Sequence, residues 1–292
     1  MDFVVGATGT VGCEICTLLV GAGRKVRGLV RPQSDPARVA ELKKLGVDAV
    51  QGDLKDGSWM ADACAGVETL FTTASALPVP KEGDAIDTVD LAGQKSLIAA
   101  AKAAGVERVV YISFPRYDDV SFPLGNAKKE VEEAIKASGM TYTILQSSFF
   151  VETWLTGAVG FDWPSGAVRV YGDGNQKVAF VAAKDIAKYA VASVGNAKVE
   201  NRVMKVGGPE SLTPNQVVKM FEAAGKPLKV EYAPESALAE QLAGADNDVM
   251  KSFVGLMITL SRGDGVDVAA ARAAYPSVTL VNVNDHVKQI TS

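Results

Sequence analysis

Short apolar runs alternate with helical patterns along the first half of the chain. Phe3-Val4-Val5 reads as a first strand, and Val11, Ile15, Leu18 and Ala22 share one face of a helix over about 10–22. The same rhythm predicts strands at 26–30, 47–51, 67–72, 108–113 and 142–145. Between them it predicts helices at about 37–45, 58–64, 86–104 and 127–138. The strands are continuously apolar rather than alternating, the mark of a parallel sheet covered on both faces. Parallel neighbours need right-handed crossovers, so the helices fall on both sides. The expected fold is α/β, a Rossmann-type doubly wound parallel sheet.

The rhythm breaks after Ser148. Residues 161–174 are rich in Gly, Pro and aromatic side chains, 177–182 reads as strand, 185–194 as helix and 203–206 as strand. Helix signals recur at 214–224, 235–242 and 248–260. Two domains are expected: a nucleotide-binding domain over 1–150, to which about 177–207 returns, and a smaller helix-rich substrate-binding part over 151–292. The second is expected over the carboxyl ends of the sheet.

Composition narrows the function. Lys and Arg number 30 against 34 Asp and Glu, a net charge of −4 that argues against non-specific nucleic-acid binding. One histidine, His286, cannot supply a zinc triad, and a Ser-His-Asp arrangement is poorly provided for, so no metal is expected. Three cysteines, Cys13, Cys16 and Cys64, do not make a disulfide framework and suggest a reducing compartment. No apolar run approaches the ~20 residues of a membrane span, and the N-terminus lacks a signal-peptide build. The expected location is cytoplasmic.

The strongest motif is Gly6-Ala7-Thr8-Gly9-Thr10-Val11-Gly12, set between the first strand and first helix. Its three glycines suit a tight turn, close approach of backbone to a pyrophosphate, and close helix–strand packing, with the phosphates on the helix N-terminus. Gly6, Thr8, Gly9, Thr10, Val11 and Gly12 are therefore the expected cofactor contacts. The second strand ends at Arg31, nineteen positions past Gly12, where an acidic residue would select NAD. Arg31 suits the 2′-phosphate of NADP instead, with Ser34 adding a hydroxyl; a solvated strand-end charge is the plainer use. In Gly52-Asp53-Leu54, Asp53 either accepts a hydrogen bond from the adenine amino group or caps a turn. Thr73 and Ala74, small residues after the fourth strand, let a cofactor pass close over the sheet.

These motifs resemble the short-chain dehydrogenase/reductase superfamily, and more narrowly its atypical NmrA-like branch. The resemblance covers nearly the whole chain. It extends through Val30-Arg31-Pro32, the run from Lys128 to Glu132, Ser138-Gly139, and Tyr142-Thr143-Ile144-Leu145. It continues in Phe149-Phe150-Val151-Glu152, Lys184-Asp185-Ile186-Ala187, Gly208-Pro209-Glu210 and Leu212-Thr213. It implies NADP(H) binding and a fold shared with isoflavone-type, quinone and triphenylmethane dye reductases, and also with non-catalytic regulators that sense the NADP(H) state. Two departures stand out. No Tyr is followed four residues on by Lys, and Leu145-Gln146-Ser147 replaces the Leu-Arg-Pro usual in the branch.

Reduction of a carbonyl or quinone needs a proton source near the developing oxyanion. Lys128 stands at the edge of the stripe of Val131 and Ile135, and the resemblance gives a lysine there a role at the nicotinamide ribose or substrate oxygen. Snorkelling to solvent, or pairing with Glu132, is the alternative. Ser113 ends the fifth strand, where ligands of parallel sheets bind. Tyr117 offers either an acidic hydroxyl or a surface aromatic. Phe149, counted with the cofactor contacts, lines the pocket or packs in the core with Phe150 and Trp154. Cys13 and Cys16 have C-x-x-C spacing but read as small helix residues.

Two functions follow. One is an NADPH-dependent reductase of a small apolar carbonyl, quinone or conjugated compound. The other is a non-catalytic NADP(H)-sensing regulator with a protein partner. A homodimer fits either, and neither requires a membrane or nucleic acid.

Overall fold

The computed structural model describes residues 1–77 and 82–292. In chain order the first elements are β1 (Asp2–Val5), α1 (Thr10–Gly21), β2 (Val26–Val30), α2 (Pro36–Lys44) and β3 (Asp48–Gln51). A 3₁₀ turn (Gly57–Trp59) leads into α3 (Met60–Cys64) and β4 (Thr69–Thr72). A π-helical segment (Ile86–Gly93) runs straight into α4 (Gln94–Ala103), followed by β5 (Arg108–Ser113), α5 (Pro123–Ala137) and β6 (Thr141–Ser147).

The later half adds α6 (Val151–Trp154), β7 (Phe161–Asp162), β8 (Ala167–Tyr171), α7 (Ala183–Ala192), β9 (Arg202–Val206) and α8 (Pro214–Ala223). It ends with β10 (Lys229–Ala233), α9 (Glu235–Gly244), α10 (Asp248–Arg262), α11 (Val268–Ala274) and α12 (Val283–Thr291).

Seven strands form one sheet in the order β3-β2-β1-β4-β5-β6-β9. The first six follow the doubly wound order expected from the strand–helix alternation. β1 pairs in parallel with both β2 and β4, with Phe3 opposite Arg27 and Leu70. The reversal of direction on either side of β1 makes a switch point where α/β proteins bind ligands.

The chain forms two compact units. The first comprises 1–113, 123–145 and 187–204; the second comprises 114–122, 146–186 and 205–292. In the first, Phe3, Leu70, Leu97, Tyr111, Val131 and Ile144 pack into one core. Fully burying side chains of this size contributes about 1.5–3 kcal/mol each. The second has its own core, in which Phe161, Val217, Phe221, Val254 and Val287 take part.

Three local expectations change. The helix expected over 86–104 opens as a π-helix over Ile86–Gly93, and its last residue, Gly93, lies against the Leu54 carbonyl, where an added Cβ would come within 2.6 Å. The strand expected over 177–182 is two isolated bridges, Val178 with Leu212 and Val181 with Phe150. Each end of that segment faces a different neighbour, so no ladder forms. The stretch of Gly, Pro and aromatic residues holds a strand, β8, whose Val168 and Val170 point inward. It pairs in parallel with β10 and antiparallel with β7.

Candidate functional site

The glycine loop joins β1 to α1 as expected, and its packing explains each glycine that matters. Gly6 has φ of 90°, a left-handed conformation costly for a side chain, and an added Cβ would sit 2.5 Å from Thr73 Oγ1. The Gly9 N–H donates to the Gly6 carbonyl at 2.9 Å, closing the turn. At Gly12 a Cβ would lie 2.1 Å from that same carbonyl oxygen. Gly9 caps α1 with no side-chain hydrogen bond, which suits an N-terminus left open to an anion. The Thr73 N–H donates to the Val5 carbonyl at 2.9 Å, so Thr73 and Ala74 border the loop. A backbone cradle that a Cβ would fill, at the end of a parallel strand, fits a dinucleotide pyrophosphate.

Ser34 ties the end of β2 to this loop. Its Oγ accepts the Arg31 N–H at 2.9 Å and lies 3.4 Å from Thr8 Oγ1. The Arg31 guanidinium donates through Nη1 to Asp84 Oδ2 at 2.8 Å. The other oxygen of Asp84 accepts from Lys55 Nζ at 2.6 Å, which holds that lysine above its usual pKa range. A pocket of about 510 Å³, lined in part by Arg31, Ser34, Val39, Lys43 and Gln51, opens here. Asp53 closes a tight turn, its Oδ1 accepting the Lys55 N–H at 3.0 Å, with Lys55 Nζ 3.4 Å from Oδ2. Leu54 is buried beneath it.

Two polar residues of the π-helix and α4 brace the ends of the central strands, and neither stood out in the sequence. Gln94, fully buried, donates to the Ala74 carbonyl at 3.0 Å and accepts from Thr72 Oγ1 at 2.9 Å. Asp90, also fully buried, accepts the Ala76 N–H through Oδ2 at 2.9 Å. Burial pushes its carboxyl above the ordinary carboxylate range, against the pull of the Lys128 ammonium. The signal available was their spacing: polar positions four apart, on a helix whose neighbours on that face are apolar.

Lys128 sits on α5 with 4% of its surface exposed. Its Nζ lies 3.3 Å from the Ile112 carbonyl, 4.0 Å from Asp90 Oδ1 and 4.8 Å from the centre of the Tyr111 ring. An ammonium so placed is held by a carboxylate, a carbonyl and an aromatic face at the end of β5. Ser113 is one residue further along, and its hydroxyl donates to Glu132 Oε1 at 2.5 Å. The first unit thus brings the glycine loop, Thr8, Arg31, Ser34, Asp53, Thr73, Ala74, Ser113 and Lys128 onto one doubly wound scaffold.

Tyr117 and Phe149 belong to the second unit. The Tyr117 hydroxyl lies 3.0 Å from the carbonyl oxygens of both Arg262 and Gly263, and burial raises its pKa. Its proton is directed at backbone. Phe149 is buried edge-on to Trp154, ring centres 4.9 Å apart. Glu152 of the Phe-Val-Glu segment accepts the Ala183 N–H with both oxygens at 3.1 Å, stabilising the start of α7.

The three cysteines are free, and burial pushes the Cys16 thiol to about 12 and Cys64 to about 11. Neither is a ready nucleophile. No group of three potential metal ligands occurs among the described residues.

His286 titrates below its ordinary 6.5, because burial and then Lys184 outweigh the pull of Glu152. The unfolded chain therefore takes up this proton more readily. Its stabilising effect is present above 6.5 and is lost as pH falls through the lower folded value. His286→Gln is expected to narrow the drop in Tm between about pH 7.5 and 5.5 by about 1–2 °C, read by thermal melts at both pH values.

The NmrA-like family model matches residues 3–271. An NAD(P)H azoreductase of Xenophilus azovorans is 31% identical over 260 residues, covering 85% of this chain and 86% of that protein. The photosystem II assembly factor Ycf39 of Cyanophora paradoxa is 30% identical, covering 79% of this chain and 71% of its own. An NADPH-dependent quinone oxidoreductase of Escherichia coli, solved with NADPH, superposes with a TM-score of 0.81 at 22% identity, covering 100% of both chains.

Proposed function

The chain belongs to the NmrA-like family, and we propose that within it this protein is an NADPH-dependent reductase of small, largely apolar electrophiles such as quinones, azo compounds, carbonyls and enones. The observation that carries the reading is the buried Lys128 ammonium at the end of β5, on the same sheet as the glycine cradle. Gly6, Gly9 and Gly12 would hold the pyrophosphate, Arg31 and Ser34 the 2′-phosphate, and Asp53 with Leu54 the adenine edge. NADPH bound there supplies the hydride. Lys128 holds a proton at Nζ, stabilises the negative charge that develops on the substrate heteroatom, and is oriented by Asp90 and the Ile112 carbonyl. Ser113, tied to Glu132, fixes the strand end beside it.

Purified protein is expected to oxidise NADPH in the presence of at least one class in a panel of quinones, azo dyes, aldehydes, ketones and enones. Tight NADPH binding with no turnover across that panel would sink the enzyme reading. It would favour the regulatory one, for which the family's assembly-factor relative and the missing Tyr-x-x-x-Lys pair speak. Light scattering with and without NADPH reads out a protein partner or a second copy in either case. Arg31→Ala is expected to weaken NADPH about tenfold while leaving NADH nearly unchanged, measured by nucleotide fluorescence. The free thiols fit a reducing, cytoplasmic setting. No described helix is long and apolar enough to cross a membrane.

A further inference from the structure

Arg31 is the cation that favours a 2′-phosphate, yet it meets a carboxylate before any nucleotide arrives. Asp84, with its side chain 1% exposed, spends one oxygen on Arg31 Nη1 and the other on Lys55 Nζ. Lys55 also approaches Asp53 Oδ2 at 3.4 Å. Among the described residues, two cations and two carboxylates meet here, at the end of β2 and β3. The carboxylate that Arg31 and Lys55 share is the buried one. Arg31 and Lys55 keep 31% and 23% of their side chains in contact with solvent, so water can reach them without Asp84.

We propose that Asp84 sets the discrimination of this site between NADPH and NADH, offsetting part of the charge of Arg31 and Lys55 so that either nucleotide is accepted. The inference rests on the nucleotide site described above. A 2′-phosphate carries close to two negative charges, while the hydroxyl that replaces it in NADH carries none. Arg31 attracts that phosphate with the donors Asp84 does not use, since a guanidinium has five N–H groups and Asp84 is bonded to one nitrogen. Asp84 simultaneously repels the phosphate across the guanidinium, in a partly buried setting where screening is incomplete. NADH, with a hydroxyl there, feels both effects only at the greater distance of its pyrophosphate. Removing the carboxylate while keeping its shape therefore changes the binding of NADPH far more than that of NADH.

The test uses equilibrium binding of NADPH and NADH to the wild-type chain, Asp84→Asn and Lys55→Met, followed by nucleotide fluorescence without substrate. Wild type is expected to bind both nucleotides with affinities within about tenfold. Asp84→Asn is expected to tighten NADPH by about tenfold, to leave NADH within about threefold, and to steepen the salt dependence of NADPH binding. Lys55→Met, which shifts the cluster the other way, is expected to weaken NADPH relative to NADH. It keeps the proposal testable should Asp84→Asn not fold. An unchanged NADPH-to-NADH ratio in the folded variants overturns the proposal. So does looser NADPH binding by Asp84→Asn, which would make Asp84 a brace for Arg31. Binding of neither nucleotide by wild type would instead strike the nucleotide-site reading itself.

Discussion

Lys128→Met is expected to lower turnover by about 10²–10⁴-fold while leaving NADPH binding within a few-fold of wild type. Methionine matches the lysine stem in length and fills the space beside Tyr111, but it carries no proton and no charge. The substitution has a second consequence that must be separated from the first. Asp90 is fully buried with Lys128 Nζ 4.0 Å away, so removing the lysine strands a carboxylate in the core. Breaking a buried pair at one end costs about 3–5 kcal/mol, part of which Asp90 escapes by taking up a proton. Lys128→Met/Asp90→Asn removes both charges and keeps the hydrogen-bonding shape that receives the Ala76 N–H. The double variant is expected to recover most of the stability in a urea titration and none of the turnover. Recovery of both would make Lys128 a structural counter-ion and not the proton source.

The parallel, doubly wound character of the main sheet was legible because its strands and crossovers are signalled locally. Most strands from β1 to β6 are short runs centred on apolar residues (β3, Asp48–Gln51, is the weakest), each crossover carries its own helical stripe, and handedness then restricts the topology. Strand limits came within a few residues for the same reason. The later half resisted because its strands are defined by partners rather than by composition. β8 shows a clean inward alternation of Val168 and Val170, hidden between Gly166 and Gly172. β10 is mostly exposed or half-buried along its length, so its pattern carries almost no burial signal. The 177–182 segment has strand-like residues yet makes only bridges, because its pairing is decided by Leu212 and Phe150, 30 or so positions away on either side.

In the site, glycines and strand-end residues were readable because backbone geometry demands them. Gly6, Gly12, Arg31 and Ser34 stand where the loop and the end of β2 need them. What the sequence did not disclose is the polar network brought in by the segment between β4 and α4. Asp84, Asp90 and Gln94 lie 53, 38 and 22 positions from Arg31, Lys128 and Thr72 respectively, and only the fold joins them. A buried Asp and a buried Gln on one helix face are costly without partners, which is the physical reason to suspect such positions. Nothing in a single sequence says which partner each will find.

Gly12→Ala carries the other large expected effect, a loss of NADPH affinity of at least about hundredfold together with about 2–4 kcal/mol of stability. The added Cβ would stand 2.1 Å from the Gly6 carbonyl oxygen, 2.7 Å from its carbon and 3.0 Å from Ala7 Cα, all of them backbone. No rotamer relieves a clash between backbone atoms, so α1 must move off the end of β1. That movement opens the turn closed by the Gly9 N–H and withdraws the first-turn amides from the place a pyrophosphate would occupy. Gly21→Ala is the matched control, at the far end of the same helix, where nothing lies within 4 Å of an added Cβ. There alanine is expected to stabilise by about 0.5–1 kcal/mol and leave binding unchanged, since it only restricts the unfolded chain and favours helix. Paired melts and NADPH titrations of the two variants separate a general sensitivity of α1 from the close approach at its start. Full NADPH affinity in a folded Gly12→Ala protein would mean that the phosphates are held somewhere other than this loop.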